Sequence, residues 1–429
     1  MPNPPTHKKY FPEKNGELHV ESVPLALLAE KYGTPLYVYS HSALTAAASE
    51  ILDAFSTLDG IVCYSFKANS NGALAGIVKN LGFGVDIVSG GEYRRAVSAG
   101  FPTDKLVFAG VGKTEPEIET ALDGGLLFFS VESATELSMI ERVAKKLGVK
   151  APVAVRINPE IDPKSHPYLS TGLKESKFGV SADEAVELYR RAGESKHLSV
   201  RGISCHIGSN ILSVEPFAEA FAGLLDMADK LEKTGITVEY LDFGGGLGVS
   251  YTGEKVPPAK ELAGTMKRLL DGRNYKIIFE PGRSVIAQAG ILLTRVILTK
   301  GRHKRFVVVD AAMNDFIRPS LYGAKHTVEP VRVKPGKRAE VELVGPICES
   351  GDFLARDLTM VEPDPGDLLA LFGAGAYGFI MASNYNSRPR PAEVLVKGEE
   401  HGEIRQREDI DNLVRGETVP SFIDPTHQQ

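Results

Sequence analysis

The chain has 429 residues, 43% of them hydrophobic and 24% charged, with a formal net charge of −6; this is globular composition and excludes disordered and fibrous classes. No basic block exceeds a few residues, no apolar run approaches the ~20 residues needed to cross a bilayer, and the start lacks a signal-peptide core, so neither nucleic acid nor membrane is expected as a partner. Cys63, Cys205 and Cys348 stand far apart with no CxxC pair, which argues against a disulfide framework or a zinc site, predicts no metal, and fits a reducing, cytoplasmic compartment.

Residues 1–36 are Pro-rich and too few to form a unit, and are expected to dock on a second domain. From 37 to 285 short apolar runs alternate with amphipathic stretches. Strands are predicted at 61–66, 84–88, 106–109, 126–131, 153–157, 200–206, 238–243 and 276–279, with helices such as 114–124, 134–147, 181–192 and 216–234 between them. Strand–helix alternation repeated eight times predicts an α/β fold of the (β/α)8 TIM barrel type. From 286 to 429 the pattern becomes β-branched or alternating at 290–299, 305–310, 338–344, 367–371 and 392–396. This predicts a C-terminal antiparallel β domain, a sandwich or barrel-like unit. The tail beyond Asp411 is polar.

A barrel places its reacting groups at the C-terminal ends of the strands. There the sequence carries Lys67, Asp86 with Ser89, Glu132, Arg156 with Asn158, His206, Gly244-Gly245-Gly246, and Glu280 with Arg283. Lys67 ends the apolar run Gly60-Ile-Val-Cys-Tyr-Ser-Phe66. Desolvation there is expected to lower the amine's pKa, and a neutral amine attacks carbonyls. On that segment alone, a lysine whose stem packs while its head reaches water is the commoner case. Gly244-Gly-Gly246-Leu-Gly248 lets backbone N–H groups approach an anion without Cβ interference, phosphate being the expected ligand; a tight turn is an equal reading. Glu280-Pro-Gly282-Arg283 adds an acid and a base. His206-Ile-Gly-Ser209-Asn210 closes another strand. Cys348-Glu349-Ser-Gly-Asp352, Arg318-Pro-Ser-Leu-Tyr322 and Gly375-Ala-Tyr377-Gly378 lie in the β domain.

In order and spacing this set resembles the barrel-type, pyridoxal-phosphate-dependent decarboxylases of basic amino acids, from about residue 15 to 420. His166-Pro-Tyr-Leu-Ser-Thr-Gly172, Ser176-Lys-Phe-Gly179, Arg318-Pro-Ser-Leu-Tyr322 and Glu349 resemble their diaminopimelate branch. Asn210 departs from the family's usual Gln. The resemblance implies that Lys67 holds the pyridoxal 5'-phosphate covalently, with Asp86 among the cofactor contacts. Glu280 faces the pyridine nitrogen and His206 stacks on the ring. Ser209, Gly244, Gly245, Gly246, Gly282, Arg283 and Tyr377 line the phosphate and cofactor side. Arg283, Arg318, Tyr322 and Tyr377 are implied at the substrate's remote carboxylate, with Glu349 at its amino group and Cys348 as proton donor. The family's active unit is a homodimer whose sites share Cys348 and Glu349 across the interface. The implied reaction converts meso-diaminopimelate to L-lysine and carbon dioxide. The alternatives are a decarboxylase of another basic amino acid or of a carboxylated polyamine, an inactive regulatory homologue, and a racemase. Intact Lys67, His206, Glu280 and Cys348 speak against the regulator, and His206 would obstruct the second face that a racemase needs.

Overall fold

The computed structural model describes residues 6–161, 177–420 and 422–423; the motif at 166–172 and Ser176 lie outside the described residues. Eight parallel strands close into a barrel: Gly60–Ser65, Gly84–Ile87, Leu106–Phe108, Phe128–Val131, Ala151–Ile157, Leu198–Cys205, Tyr240–Asp242 and Lys276–Phe279. The last pairs with the first, through Ile277 and Gly60. Each overlaps a strand expected from its apolar run, because strands covered on one face by helices and on the other by the barrel interior need apolar residues on both. The helices start and stop on sequence signals. Ala134–Leu147 is capped by the Ser133 side chain, which accepts from Glu136 N–H, and ends on left-handed Gly148. Glu115–Gly124 begins with a Thr114/Glu117 capping box.

The two-residue period of a strand explains how this barrel makes a site. One apolar cluster takes Cys63, Val107, Phe128, Ala154, Tyr240 and Ile278 from six different strands. Two residues further along the same strands come Ser65, Ala109, Ser130, Arg156, Asp242 and Glu280. On five of these six strands the same face is therefore apolar below and polar above, and Ser130, Arg156, Asp242 and Glu280 of that layer, with Lys67 and His206 beyond it, border a cavity.

The second domain is a nine-stranded sheet. Its long strand Gly290–Lys300 pairs antiparallel with Leu36–Ser40 and Leu368–Phe372 over its first half and with Phe306–Val309 over its second. The sheet is mainly antiparallel, with parallel pairing of Leu36–Ser40 to Ala392–Lys397 and of Phe306–Val309 to Arg338–Val344. Leu36–Ser40, of which the sequence pattern grouped residues 37–40 with the barrel, pairs within this sheet; the helix His41–Phe55 that follows packs on the barrel helix Ala259–Leu270. Residues before it pack on the same sheet: Phe11, Leu18, Val20, Leu25 and Leu28 share a core with Ile291, Leu293, Phe372 and Val394.

A buried polar network fastens this sheet to the loop after Lys67. Glu393, fully buried, accepts from Tyr39 Oη at 2.7 Å, Asn71 Nδ2 at 2.9 Å and Arg405 Nε at 2.6 Å. Asn69 Nδ2 donates to the Gly375 carbonyl at 3.1 Å, and Tyr377 N–H to the Ala68 carbonyl at 2.8 Å. These bonds bring Tyr377, from the second domain, to the mouth of the barrel.

Candidate active site

The cavity at the C-terminal end of the barrel has a volume of about 440 Å³, within the range of small-ligand sites. Lys67, His206, Ser209, Glu280, Arg283, Arg318, Tyr322 and Tyr377 all border it. Residues from strands more than 200 positions apart in sequence, Lys67 and Glu280, meet there because the eighth strand closes on the first.

Lys67 sits in a single turn, Phe66–Ala68, at the tip of the first strand. Its Nζ pairs with Asp86 Oδ2 at 2.7 Å, and the Ser65 hydroxyl lies 3.0 Å from the same oxygen. The expectation of a lowered lysine pKa is overturned. Burial is the largest single influence and does act downward, but Asp86, Glu280 and Tyr377 together outweigh it and hold the pKa above that of ordinary lysine. The partner that reverses the sign comes from the next strand, where Asp86 stands in register with Ser65.

Three buried carboxyls, Asp86, Asp242 and Glu280, surround this one ammonium. Burial, then the charges of Asp242 and Asp86, push the Glu280 carboxyl well above the usual range. Asp242 rises too, through burial first and Asp86 second. Its Oδ1 accepts from Gly244 N–H at 2.9 Å. Glu280 Oε1 and Asp86 Oδ1 are buried without a hydrogen-bond partner. A carboxyl-rich floor with an unsatisfied oxygen calls for a further N–H donor carrying positive charge.

His206 Nδ1 accepts from Gly245 N–H at 3.1 Å, so the proton of the neutral ring sits on Nε2. Burial, followed by the charges of Lys67 and Arg156, keeps its pKa well below that of free histidine. The N–H groups of Gly244 and Gly245 are thus taken by Asp242 and His206. These two glycines answer a backbone demand: a Cβ on Gly245 would strike the Glu280 carbonyl, and one on Gly244 would lie 2.6 Å from His206 Nδ1. Gly282 is equally confined, 2.9 Å from Ala68 Cβ. Asn210 has φ 60°, a left-handed conformation that suits asparagine, and its Oδ1 accepts from Val249 N–H at 3.3 Å.

Arg283 and Arg318 are both buried. Arg283 donates to Tyr251 Oη at 2.7 Å and to Ser209 Oγ at 3.0 Å, and its guanidinium lies 4.8 Å from the Tyr377 ring centre. Arg318 stands over Tyr251 at 5.2 Å and Tyr322 at 6.0 Å. Neither forms a salt bridge among the described residues, whereas Arg156, on the same cavity, pairs with Glu132 at 3.0 Å.

Cys348 and Glu349 are exposed and stand outside the cavity of their own chain; Cys348 N–H donates to Asn386 Oδ1 at 2.9 Å. Sequence reading missed Asp242, Ser130 and Ser204 among the cavity residues, while Phe178, from the motif Ser176-Lys-Phe-Gly179, also borders it. The signal for the three missed residues was the strand phase: each lies two residues beyond an apolar or glycine position of its strand.

Residues 42–287 match the family model of the pyridoxal-dependent decarboxylases, pyridoxal-binding domain. The chain is 49% identical to the diaminopimelate decarboxylase of Pseudomonas aeruginosa, over 95% of this chain and 99% of that one. It superposes on the Helicobacter pylori diaminopimelate decarboxylase crystallised with L-lysine, with a TM-score of 0.88, 43% identity, and coverage of 91% of this chain and 98% of that one. The M. jannaschii enzyme, also in complex with L-lysine, gives a TM-score of 0.92, 38% identity and coverage of 97% and 99%. The chain belongs to the diaminopimelate decarboxylase family.

The cofactor of a pyridoxal-dependent family fits the residues of this cavity. Lys67 would supply the amine, the unpartnered Glu280 Oε1 would accept from a cationic N–H such as a protonated pyridine nitrogen, and the neutral His206 ring borders the same cavity. In this family member, the confined glycines at 244, 245 and 282 keep side chains out of the space beside them.

Proposed function

We propose that this protein decarboxylates meso-diaminopimelate to L-lysine and carbon dioxide, the last step of lysine biosynthesis, with pyridoxal phosphate as cofactor. The observation that carries the reading is the pair of buried arginines, Arg283 and Arg318, which have no carboxylate among the described residues and border the same cavity as Lys67 and Glu280. A buried guanidinium without a counter-ion is unfavourable, and a substrate whose far end carries a carboxylate supplies one by charge-assisted hydrogen bonds.

Bound in this cavity, pyridoxal phosphate supplies an electron sink for the charge left when carbon dioxide departs. Lys67 holds the cofactor covalently, with Asp86 orienting the amine. Glu280 would face the pyridine nitrogen and keep it protonated, its own high proton affinity offset by that positive charge. His206 would cover one face of the cofactor ring with an uncharged surface. Ser209, Gly246, Gly282, Arg283 and Tyr377 hold the phosphate side, while Gly244 and Gly245 shape the turn. Arg318, Tyr322 and Arg283 hold the remote carboxylate.

The proton that replaces carbon dioxide comes from Cys348, and Glu349 takes the remote ammonium, both from a second copy of the chain. Their exposed position outside the cavity of their own chain supports a homodimer with shared sites. Among the described residues no helix is long and apolar enough to cross a membrane, in keeping with a cytoplasmic enzyme.

The direct test offers the purified protein, loaded with cofactor, meso-diaminopimelate and a panel of basic amino acids, and assays lysine and carbon dioxide. Turnover of diaminopimelate alone is expected; equal turnover of lysine or ornithine refutes the reading. The shared site has its own test. Lys67→Ala and Cys348→Ala dimers are each inactive, and mixing them through dissociation and reassociation restores part of the activity, because a mixed dimer holds one site with both native residues. No recovery despite proven subunit exchange places both residues on one chain.

A further inference from the structure

We infer that His326 is a positioning residue for substrate choice: it holds Arg318 through an uncharged acceptor, so that the guanidinium's charge is left for the ligand's carboxylate. The inference rests on the clamp reading of Arg318 above. The helix Arg318–Tyr322 ends on left-handed Gly323 and turns the chain back on itself. His326, buried, then stands against the side chain of Arg318, whose Nε lies 3.4 Å from His326 Nε2. His326 Nδ1 is 2.8 Å from the Phe372 carbonyl. A carbonyl only accepts, so Nδ1 carries the ring proton and Nε2 presents its lone pair to Arg318. The Tyr251 and Phe316 rings enclose the imidazole edge-on, with centres 4.8 Å and 4.7 Å away. That cage fixes the ring plane, as the Phe372 carbonyl fixes the tautomer.

The chemistry of the acceptor is the informative part. Two other arginines show the contrast, being held by carboxylates: Arg156 by Glu132 at 3.0 Å and Arg405 by Glu393 at 2.6 Å. Those pairs are neutral and ask nothing of a ligand. Arg318 is held by an imidazole that cannot share its charge. Burial, then the charges of Arg318 and Arg283, push the His326 pKa down to about 3, so it remains an acceptor at any working pH. Arg283 follows the same rule, its hydrogen-bond partners being the hydroxyls of Tyr251 and Ser209. The cavity thus has one arginine neutralised from within, Arg156, and two left for the ligand.

The test uses the cofactor-loaded enzyme and two probes that do not require turnover. L-lysine carries the amino-acid head that the clamp would grip; cadaverine has the same chain and amines without the carboxylate. Dissociation constants are measured by calorimetry for the native protein and for His326→Gln, His326→Leu and His326→Glu. Glutamine keeps an uncharged acceptor for Arg318 and a donor for the Phe372 carbonyl, and is expected to bind lysine within about threefold of native. Leucine removes the acceptor and glutamate supplies an internal counter-ion, and each is expected to weaken lysine by about tenfold or more. Cadaverine binding should stay level across the series.

Lysine bound as tightly by the glutamate variant as by the native protein overturns the inference. So does a parallel loss of lysine and cadaverine in all variants, which marks a purely structural histidine. If the glutamate variant does not fold, the comparison of leucine with glutamine decides by the same criterion. A native enzyme that does not prefer lysine to cadaverine refutes the clamp itself, and this is seen before any variant is compared.

Discussion

Lys67→Ala is expected to abolish covalent capture of the cofactor and to lower turnover by at least about 10³-fold, the scale on which covalent catalytic groups act. Borohydride reduction of the native, cofactor-loaded protein should leave a permanent label on the peptide containing residue 67, and reduction of the variant should leave none. The substitution also strands Asp86, a fully buried carboxylate whose ammonium partner is 2.7 Å away; losing that charge should destabilise the cofactor-free protein by about 3 kcal/mol. Lys67→Arg separates the two effects. Its guanidinium keeps the ion pair but does not give up its proton, so stability should return while capture does not. Lys113, whose side chain is fully buried, is an implausible substitute nucleophile, since its Nζ is held by Glu136 and by the carbonyls of Gly110 and Ser130. A label recovered on Lys113 would overturn the assignment.

The barrel was legible because parallel strands buried on both faces cannot be written without apolar runs, and the caps at Thr114 and Ser133 mark helix starts within one residue. Other features have no local signature. Leu36-Tyr-Val-Tyr-Ser40 reads as a strand, but nothing in it tells that its neighbours are Gly290–Lys300 and Ala392–Lys397, far along the chain. Phe353–Val361 carries Arg356 and Asp357 in its middle, with Asp357 at φ 52° where the register shifts, so its alternation breaks. Glu400–Arg405 is a polar edge strand held by Ala392–Lys397. In the site, Lys67, Asp86, Arg156, His206 and Glu280 were legible as polar groups closing apolar strands, whereas Ser130, Ser204 and Asp242 were not. Asp242 lies inside an apolar strand, and only counting by twos from Tyr240 separates it from core. The direction of the Lys67 shift failed for a related reason: desolvation is a property of one segment, but Asp86 reaches the amine only once the first two barrel strands are paired.

Substrate choice should respond most to Arg318. Arg318→Ala is expected to raise the Michaelis constant for diaminopimelate by about 10- to 100-fold, the equivalent of one charge-assisted, bidentate contact of roughly 1.5–3 kcal/mol. The turnover number should fall less, because the contact lies at the end of the substrate remote from the bond that breaks. Lysine and ornithine, which offer only an amine at that end, are expected to be very poor substrates for the native enzyme, and in the variant the advantage of diaminopimelate over them should narrow. The same variant makes a prediction about stability that an ordinary structural arginine would not satisfy. Arg318 has no carboxylate among the described residues, so its removal orphans none of these and relieves a buried, unbalanced charge; its thermal midpoint should match or exceed that of the native protein. Arg156→Ala is the control. It borders the same cavity but leaves Glu132, only 2% exposed at its side chain, without its guanidinium, and should lower the midpoint. If Arg318→Ala lost stability as Arg156→Ala does while its Michaelis constant held, Arg318 would be a piece of scaffolding and the carboxylate clamp would have to be sought elsewhere in the cavity.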